Sequence, residues 1–118
     1  MAFKRGSIYL ANFNPSKGKE AGKIRPCLVM QSDLLNESNH PSTTVLPLTT
    51  QLIDDVAPLR YRVKNRDNLK VDSDIMLDQT RTIDNSRMAS DVLTTLTHTE
   101  LLEVEMSWQI VLGLDGEN

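Results

Sequence analysis

The sequence predicts a small, mainly β fold, a barrel or α+β arrangement ending in one C-terminal helix. Short stretches of strand-forming residues recur up to residue 83, separated by segments rich in Pro, Gly, Asn and Asp. A single clear helical pattern follows near the end. The 118 residues, 39% hydrophobic and 25% charged, have the size and composition of one globular domain spanning 1–118.

Taken in order, Ser7 to Phe13 alternates and is rich in strand formers, so it is a first strand. Asn14 to Lys23 contains Pro15, Ser16, Gly18 and Gly22 and reads as a long exposed loop. Pro26-Cys27-Leu28-Val29-Met30 is an apolar run bounded by polar residues, as in a fully buried strand. Asp33 to Ser42 is a polar loop with room for a helical turn at Leu34-Leu35. Thr43 to Thr49 is β-branched and apolar, and Pro47 within it cannot donate to a ladder, which marks an edge or a bulge.

Leu59 to Val63 alternates strictly, as in a strand with one wet face, and Asn65 to Lys70 holds a turn. Asp74 to Ile83 reads as one further strand with Ile75, Leu77 and Ile83 buried, while Asn85 to Leu96 is ambiguous. Thr97-His98-Thr99-Glu100 matches a capping box. Behind it Leu101, Val104, Trp108, Val111 and Leu112 fall on one helical face, and Gly113 is a natural stop.

No apolar run approaches the roughly 18 residues of a membrane span, and the N-terminus lacks the features of a secretory signal. Cys27 is the sole cysteine, which rules out an intramolecular disulfide and suits a reducing compartment. His40 and His98 lie far apart and give no zinc spacing with it. The expectation is a cytoplasmic protein that uses neither metal nor cofactor and does not contact membrane. The net charge of −3 hides an asymmetry. Residues 1–26 carry six basic side chains against one acid, Glu20, and the remaining 92 carry seven basic against fifteen acidic. A localised cationic surface suits phosphate contacts, although scattered solvated lysines would give the same count.

A series of short motifs is more specific than the strand pattern. Along the chain stand Arg5-Gly6-Ser7-Ile8-Tyr9, Asn14-Pro15-Ser16-Lys17-Gly18-Lys19-Glu20 and Arg25-Pro26-Cys27-Leu28-Val29. Leu46-Pro47-Leu48-Thr49-Thr50-Gln51 and Leu77-Asp78-Gln79-Thr80-Arg81-Thr82-Ile83-Asp84 follow. In order and spacing this series resembles the MazF/PemK/Kid toxins over nearly the whole chain. The resemblance implies an SH3-like barrel of the PemK/CcdB kind with a C-terminal helix, assembled as a homodimer. It also implies a metal-independent endoribonuclease that cuts single-stranded RNA at a short recognition sequence. In that chemistry the 2′-hydroxyl attacks its neighbouring phosphate, leaving a 2′,3′-cyclic phosphate and a 5′-hydroxyl, and a cognate antitoxin blocks the groove.

Such cleavage needs proton removal from the 2′-hydroxyl, stabilisation of a dianionic phosphorane and protonation of the leaving oxygen. A planar guanidinium donating two hydrogen bonds can do the second. Arg25 matches the family's catalytic arginine and stands where a charged loop meets a buried strand, where it could equally bridge loop carboxylates. Thr49 matches a functional threonine whose hydroxyl can hold the scissile group, with Thr50 and Gln51 beside it. Glu20 matches a glutamate some members use as general base. Its cationic neighbours favour the ionised form, and a loop-ordering ion pair is the plain alternative. Lys17, Lys19, Lys23, Asp78, Gln79 and Arg81 complete the expected RNA contacts, Arg81 pairing with Asp84 being an alternative.

One branch of the family has a histidine where this chain has Lys19 and an arginine where it has Met76. That branch's acid/base pair is therefore closed to this protein, and the Arg25/Thr49 arrangement is the consistent one. His40 reads as solvated, Trp108 as core or interface, and Cys27 as a small buried hydrophobe. With 4% aromatic residues, base choice would rest on hydrogen bonds and on the shape of loops 17–23 and 52–58. A CcdB-like toxin of the same fold that binds gyrase through its terminal helix is the competing reading, and a catalytically silent RNA- or antitoxin-binding member is a third.

Overall fold

A computed structural model describes residues 2–14 and 23–116. Seven strands form one antiparallel sheet. They are β1 (Ser7–Asn12), β2 (Ile24–Val29), β3 (Ser42–Thr49), β4 (Arg60–Val63), β5 (Ser73–Met76), β6 (Arg81–Asp84) and β7 (Met88–Thr95). A short helix α1 (Asp33–Asn36) follows β2, and α2 (His98–Leu112) ends the fold. Strand order is β4-β5-β3-β2-β1-β7, with β6 also on β3.

β3 is the hinge of this arrangement. One edge pairs with β2, while the other meets β6 over Ser42–Val45 and β5 at Leu48 and Thr49. Pro47 falls where β6 pairing has ended and β5 pairing has not begun, so its missing N–H leaves no gap in either ladder. The expectation of an edge strand or bulge is corrected: β3 is interior, and Pro47 marks a change of partner. The expected single strand from Asp74 to Ile83 is likewise two, β5 and β6, separated by a turn.

Alternate residues of the central strands enter two cores. Ile8, Leu28, Met30, Leu46, Leu48 and Ile75 face α2, whereas Tyr9, Phe13, Cys27, Val29, Val45 and Ile83 fill the reverse face. Burial on both faces explains why residues 26–30 read as an unbroken apolar run. α2 is capped at both ends, by the reciprocal Thr97–Glu100 capping box and by Gly113 in the left-handed region at φ 73°. Val104 is fully buried, and Leu101, Trp108 and Val111 pack on the first core. Leu112, expected on that face, is instead exposed, as are Leu102, Met106 and Ile110. Gly6, at φ 88°, lets the chain pass under the helix, since a Cβ there would stand 3.1 Å from Leu101 Cδ2.

Among the described residues the sheet is not closed by a continuous ladder. Its outer strands meet through the loop after β4. Asn68 N–H donates to the Leu93 carbonyl at 2.9 Å, and Thr94 Oγ1 donates to Asp67 Oδ2 at 2.6 Å. Arg66 joins β7 to α2 through a two-pronged pair with Glu100, both contacts at 2.8 Å. The result is a mostly antiparallel, barrel-like sheet with a C-terminal helix, as the sequence predicted.

Candidate active site

The strand registers gather the predicted site residues on one face. In antiparallel pairing, directly opposed residues project to the same side. Ala11 opposes Arg25, Thr49 opposes Asp74 and Val45 opposes Arg81. The β2–β3 register runs from Val29 opposite Val45 to Cys27 opposite Pro47, and Arg25 and Thr49 each lie two residues beyond that last pair, with the same alternation. Arg25, Thr49, Asp74 and Arg81 therefore share the face that carries the second core. Cys27, Phe13 and Val45 form its dry floor, and the polar groups occupy its end.

Arg25 is half-buried, and its Nη1 donates to the Leu48 carbonyl at 3.3 Å, tying the guanidinium to the residue before Thr49. Burial lowers the guanidinium's pKa from its ordinary value, yet it stays a cation at any physiological pH. Thr49 Oγ1 accepts the Gln51 N–H at 3.1 Å. With that oxygen engaged as acceptor, its O–H points its donor capacity elsewhere, the sense needed at a phosphate oxygen. Thr50 and Gln51 follow as exposed residues.

Arg81 lies with its guanidinium carbon 5.2 Å from the centroid of the Phe13 ring, a cation–π contact that places the charge over the second core. Asp84 accepts the Ser86 N–H at 2.9 Å at the start of the following 3-10 turn. The turn before Arg81 is anchored by Gln79 N–H to the Met76 carbonyl and by Trp108 Nε1 to Thr80 Oγ1 at 2.9 Å. Trp108 thus joins α2 to the turn that presents Asp78, which is exposed, and Gln79, which is half-buried.

Lys17, Lys19 and Glu20 lie outside the described residues. The base of their loop is well defined. Phe13 N–H donates to the Lys23 carbonyl at 2.8 Å and Lys23 N–H to Asn14 Oδ1 at 2.8 Å, with Lys23 left-handed at φ 70°. Arg87 Nη1 donates to the Asn12 and Asn14 carbonyls. Met76 is 3% exposed and packs inward, which fits its lack of any polar role. His40 lies at the far end of β3 from Thr49, lining a polar cavity of about 250 Å³ with Phe3, Asn36, Thr43 and Asn85. Cys27 is fully buried and its thiol is pushed up to about 12 by that burial, against a smaller opposing effect of its hydrogen bond with the Tyr9 backbone. It is therefore no nucleophile.

Beside Thr49 lies a charged cluster that no sequence motif announces. Asp74 is 1% exposed and sits among Arg60, Arg62 and the Ile53 amide. Burial would raise its carboxyl. Hydrogen bonds from Arg62 and Ile53 and the charges of Arg62 and Arg60 outweigh that and hold it below the ordinary carboxylate range. The spacing Arg60-x-Arg62 in an alternating strand was visible, but its partner emerges only from the β4–β5 register, in which Arg62 opposes Asp74. No three His, Cys, Asp or Glu side chains cluster as potential metal ligands among the described residues.

Residues 4–112 match the family described as PemK-like, MazF-like toxin of type II toxin–antitoxin system. The chain is 34% identical over 114 residues to the Endoribonuclease MazF of Staphylococcus epidermidis, covering 96% of this chain and 93% of that protein. Its fold is similar to the crystal structure of MazF (Form-I) from Deinococcus radiodurans, with a TM-score of 0.80 and 23% identity over 96% of this chain and 98% of that one. A mycobacterial endoribonuclease in complex with its cognate antitoxin gives a TM-score of 0.74 at 18% identity, with 96% and 97% of the two chains covered.

Proposed function

The chain belongs to the PemK-like, MazF-like family of type II toxins, and on that premise we propose that it is an endoribonuclease that cuts single-stranded RNA in the cytoplasm. The observation that supports the reading is the hydrogen bond from Arg25 on β2 to the carbonyl of Leu48, the residue before Thr49 on the adjacent strand β3. In the proposed reaction the 2′-oxygen forms a bond to phosphorus while the bond to the 5′-oxygen breaks. The product ends are a 2′,3′-cyclic phosphate and a 5′-hydroxyl. Arg25 donates to the non-bridging oxygens as negative charge grows there, and the Thr49 hydroxyl holds one of them in place. Glu20 is the proposed acceptor of the 2′-hydroxyl proton. Lys17, Lys19, Lys23 and Arg81 neutralise flanking phosphates, and Thr50, Gln51, Asp78 and Gln79 read bases by hydrogen bonds.

Charge stabilisation and removal of the 2′-proton are assigned to groups of this chain, the leaving 5′-oxygen takes its proton from water, and the activity is proposed to need no metal. Its natural regulator is a cognate antitoxin, in keeping with the antitoxin-bound mycobacterial neighbour. The exposed Leu102, Met106 and Ile110 on α2 support association with another chain, a second copy in a homodimer included. The test is incubation of the purified protein with a long single-stranded RNA in excess EDTA, mapping the ends beside an Arg25→Ala control. Discrete cuts with 5′-hydroxyl ends, lost in the variant, are expected. Intact RNA across many sequences would sink the nuclease reading and direct the work to gyrase binding.

A further inference from the structure

Asp74 presents a physical puzzle: a carboxylate at 1% exposure beside the proposed catalytic threonine. A buried ion pair is a poor way to gain stability, because apolar side chains of similar volume often serve as well or better. The arrangement here fixes geometry instead. Asp74 Oδ2 accepts the Ile53 N–H at 2.9 Å and Arg60 Nη1 at 3.3 Å, while Oδ1 accepts Arg62 Nε at 2.8 Å. Each arginine then reaches on into the loop after β3. Arg60 Nη1 donates to the Gln51 carbonyl at 3.1 Å, and Arg62 donates to Asp54 Oδ1 at 2.7 Å and to the Ile53 carbonyl at 3.4 Å. Gln51 in turn donates its N–H to Thr49 Oγ1.

The backbone of Gln51 and Ile53 and the side chain of Asp54 are thus pinned to β4 and β5 through one carboxylate. The side chains of Gln51, Leu52 and Ile53 are left exposed beside Thr49. We infer that Asp74, with Arg60 and Arg62, is a positioning device that holds the 51–54 loop as one wall of the RNA site and so determines which base sequence is accepted. This inference rests on the nuclease reading. A wall of fixed shape selects by excluding misfits, and a mobile one admits several sequences.

The test compares wild type with Asp74→Asn and Asp54→Asn in the full-length chain, measuring three things. These are hydrogen exchange at the Ile53 amide, steady-state cleavage of the preferred RNA, and the cut-site profile on a long RNA. Asp74→Asn keeps the shape but removes the charge that gathers both guanidinium groups. The Ile53 amide should exchange at least roughly tenfold faster, while Ile75 stays protected. KM should rise by about tenfold, more than kcat falls, and secondary cut sites should appear. Asp54 is 75% exposed at its side chain, so its ion pair contributes little stability. Asp54→Asn should therefore melt with wild type and still broaden the cut-site profile, which a purely structural role would not do. Unchanged Ile53 exchange in Asp74→Asn, or wild-type cut-site profiles in both variants, would overturn the inference while leaving the nuclease intact. A wild type that cuts no RNA would overturn both, whatever Ile53 does.

Discussion

Arg25 is anchored by a buried strand on one side and by the Leu48 carbonyl on the other, so its guanidinium is oriented before any substrate arrives. That orientation is what lysine cannot reproduce, since an ammonium is a point charge without a planar fork. Arg25→Lys should keep the fold within about 0.5 kcal/mol and lower kcat by about 100-fold or more, measured on the preferred RNA beside a thermal melt. A lysine variant of near wild-type rate would remove the bidentate role. At this scale the motifs single out Arg25, Thr49 and Arg81 as candidates, and the burial of Cys27 follows from its apolar neighbours. Asp74 is not singled out, because an aspartate in a short strand looks the same whether it faces water or two arginines. Only pairing with β4 shows which.

The elements differ in how openly their residues declare them. α2 was readable to within a residue because its ends are chemical: a capping box at Thr97–Glu100 and a glycine in the left-handed region. β7 was not, because six of its eight residues are exposed or half-buried and its pairing with β1 shifts register twice, which erases alternation. The α2 cap also carries an acid-stability prediction. Hydrogen bonds from Arg66, working against burial and joined by the Thr97 amide, pull Glu100 down to about 2. Unfolded, it would titrate near 4.3 (about the ordinary value). Its folded pKa is depressed, so its contribution is fully present above about pH 5 and is lost as pH falls through about 2. Glu100→Gln should cost about 1–2 kcal/mol at pH 7 by urea unfolding, the gap from wild type closing toward pH 2. A gap independent of pH would show that the cap's geometry, not its charge, is what matters.

Across the whole molecule the net charge of −3 would argue against binding RNA if charge were spread evenly. It is not: Lys23, Arg25, Arg81 and Arg87 lie at or beside one face, whereas Glu100, Glu103 and Glu105 ride on α2. Binding should therefore fall with salt, with a log–log slope of about −2 if three phosphates are contacted, and Arg25→Ala should flatten it by about 0.7. Fluorescence anisotropy with a short RNA would measure both, and a slope near zero would contradict a cationic groove. Strand content and the terminal helix were predictable at this scale. The way the sheet curls was not, because Asn68, Asp67 and Arg66 meet β7 by hydrogen bonds that leave no trace in hydropathy.

The position of β3 has a consequence for how such a protein is made. Its partners are β2 on one edge and β5 and β6 on the other, and β1 in turn waits for β7. While the ribosome is still adding residues before Arg81, Arg25 and Thr49 exist but the face they share lacks one of its sides. β1 stays unpaired along one edge until Met88–Thr95 has emerged. On the proposed reading, the face that carries Arg25 and Thr49 is complete only once Arg81–Asp84 has joined β3 and Met88–Thr95 has joined β1.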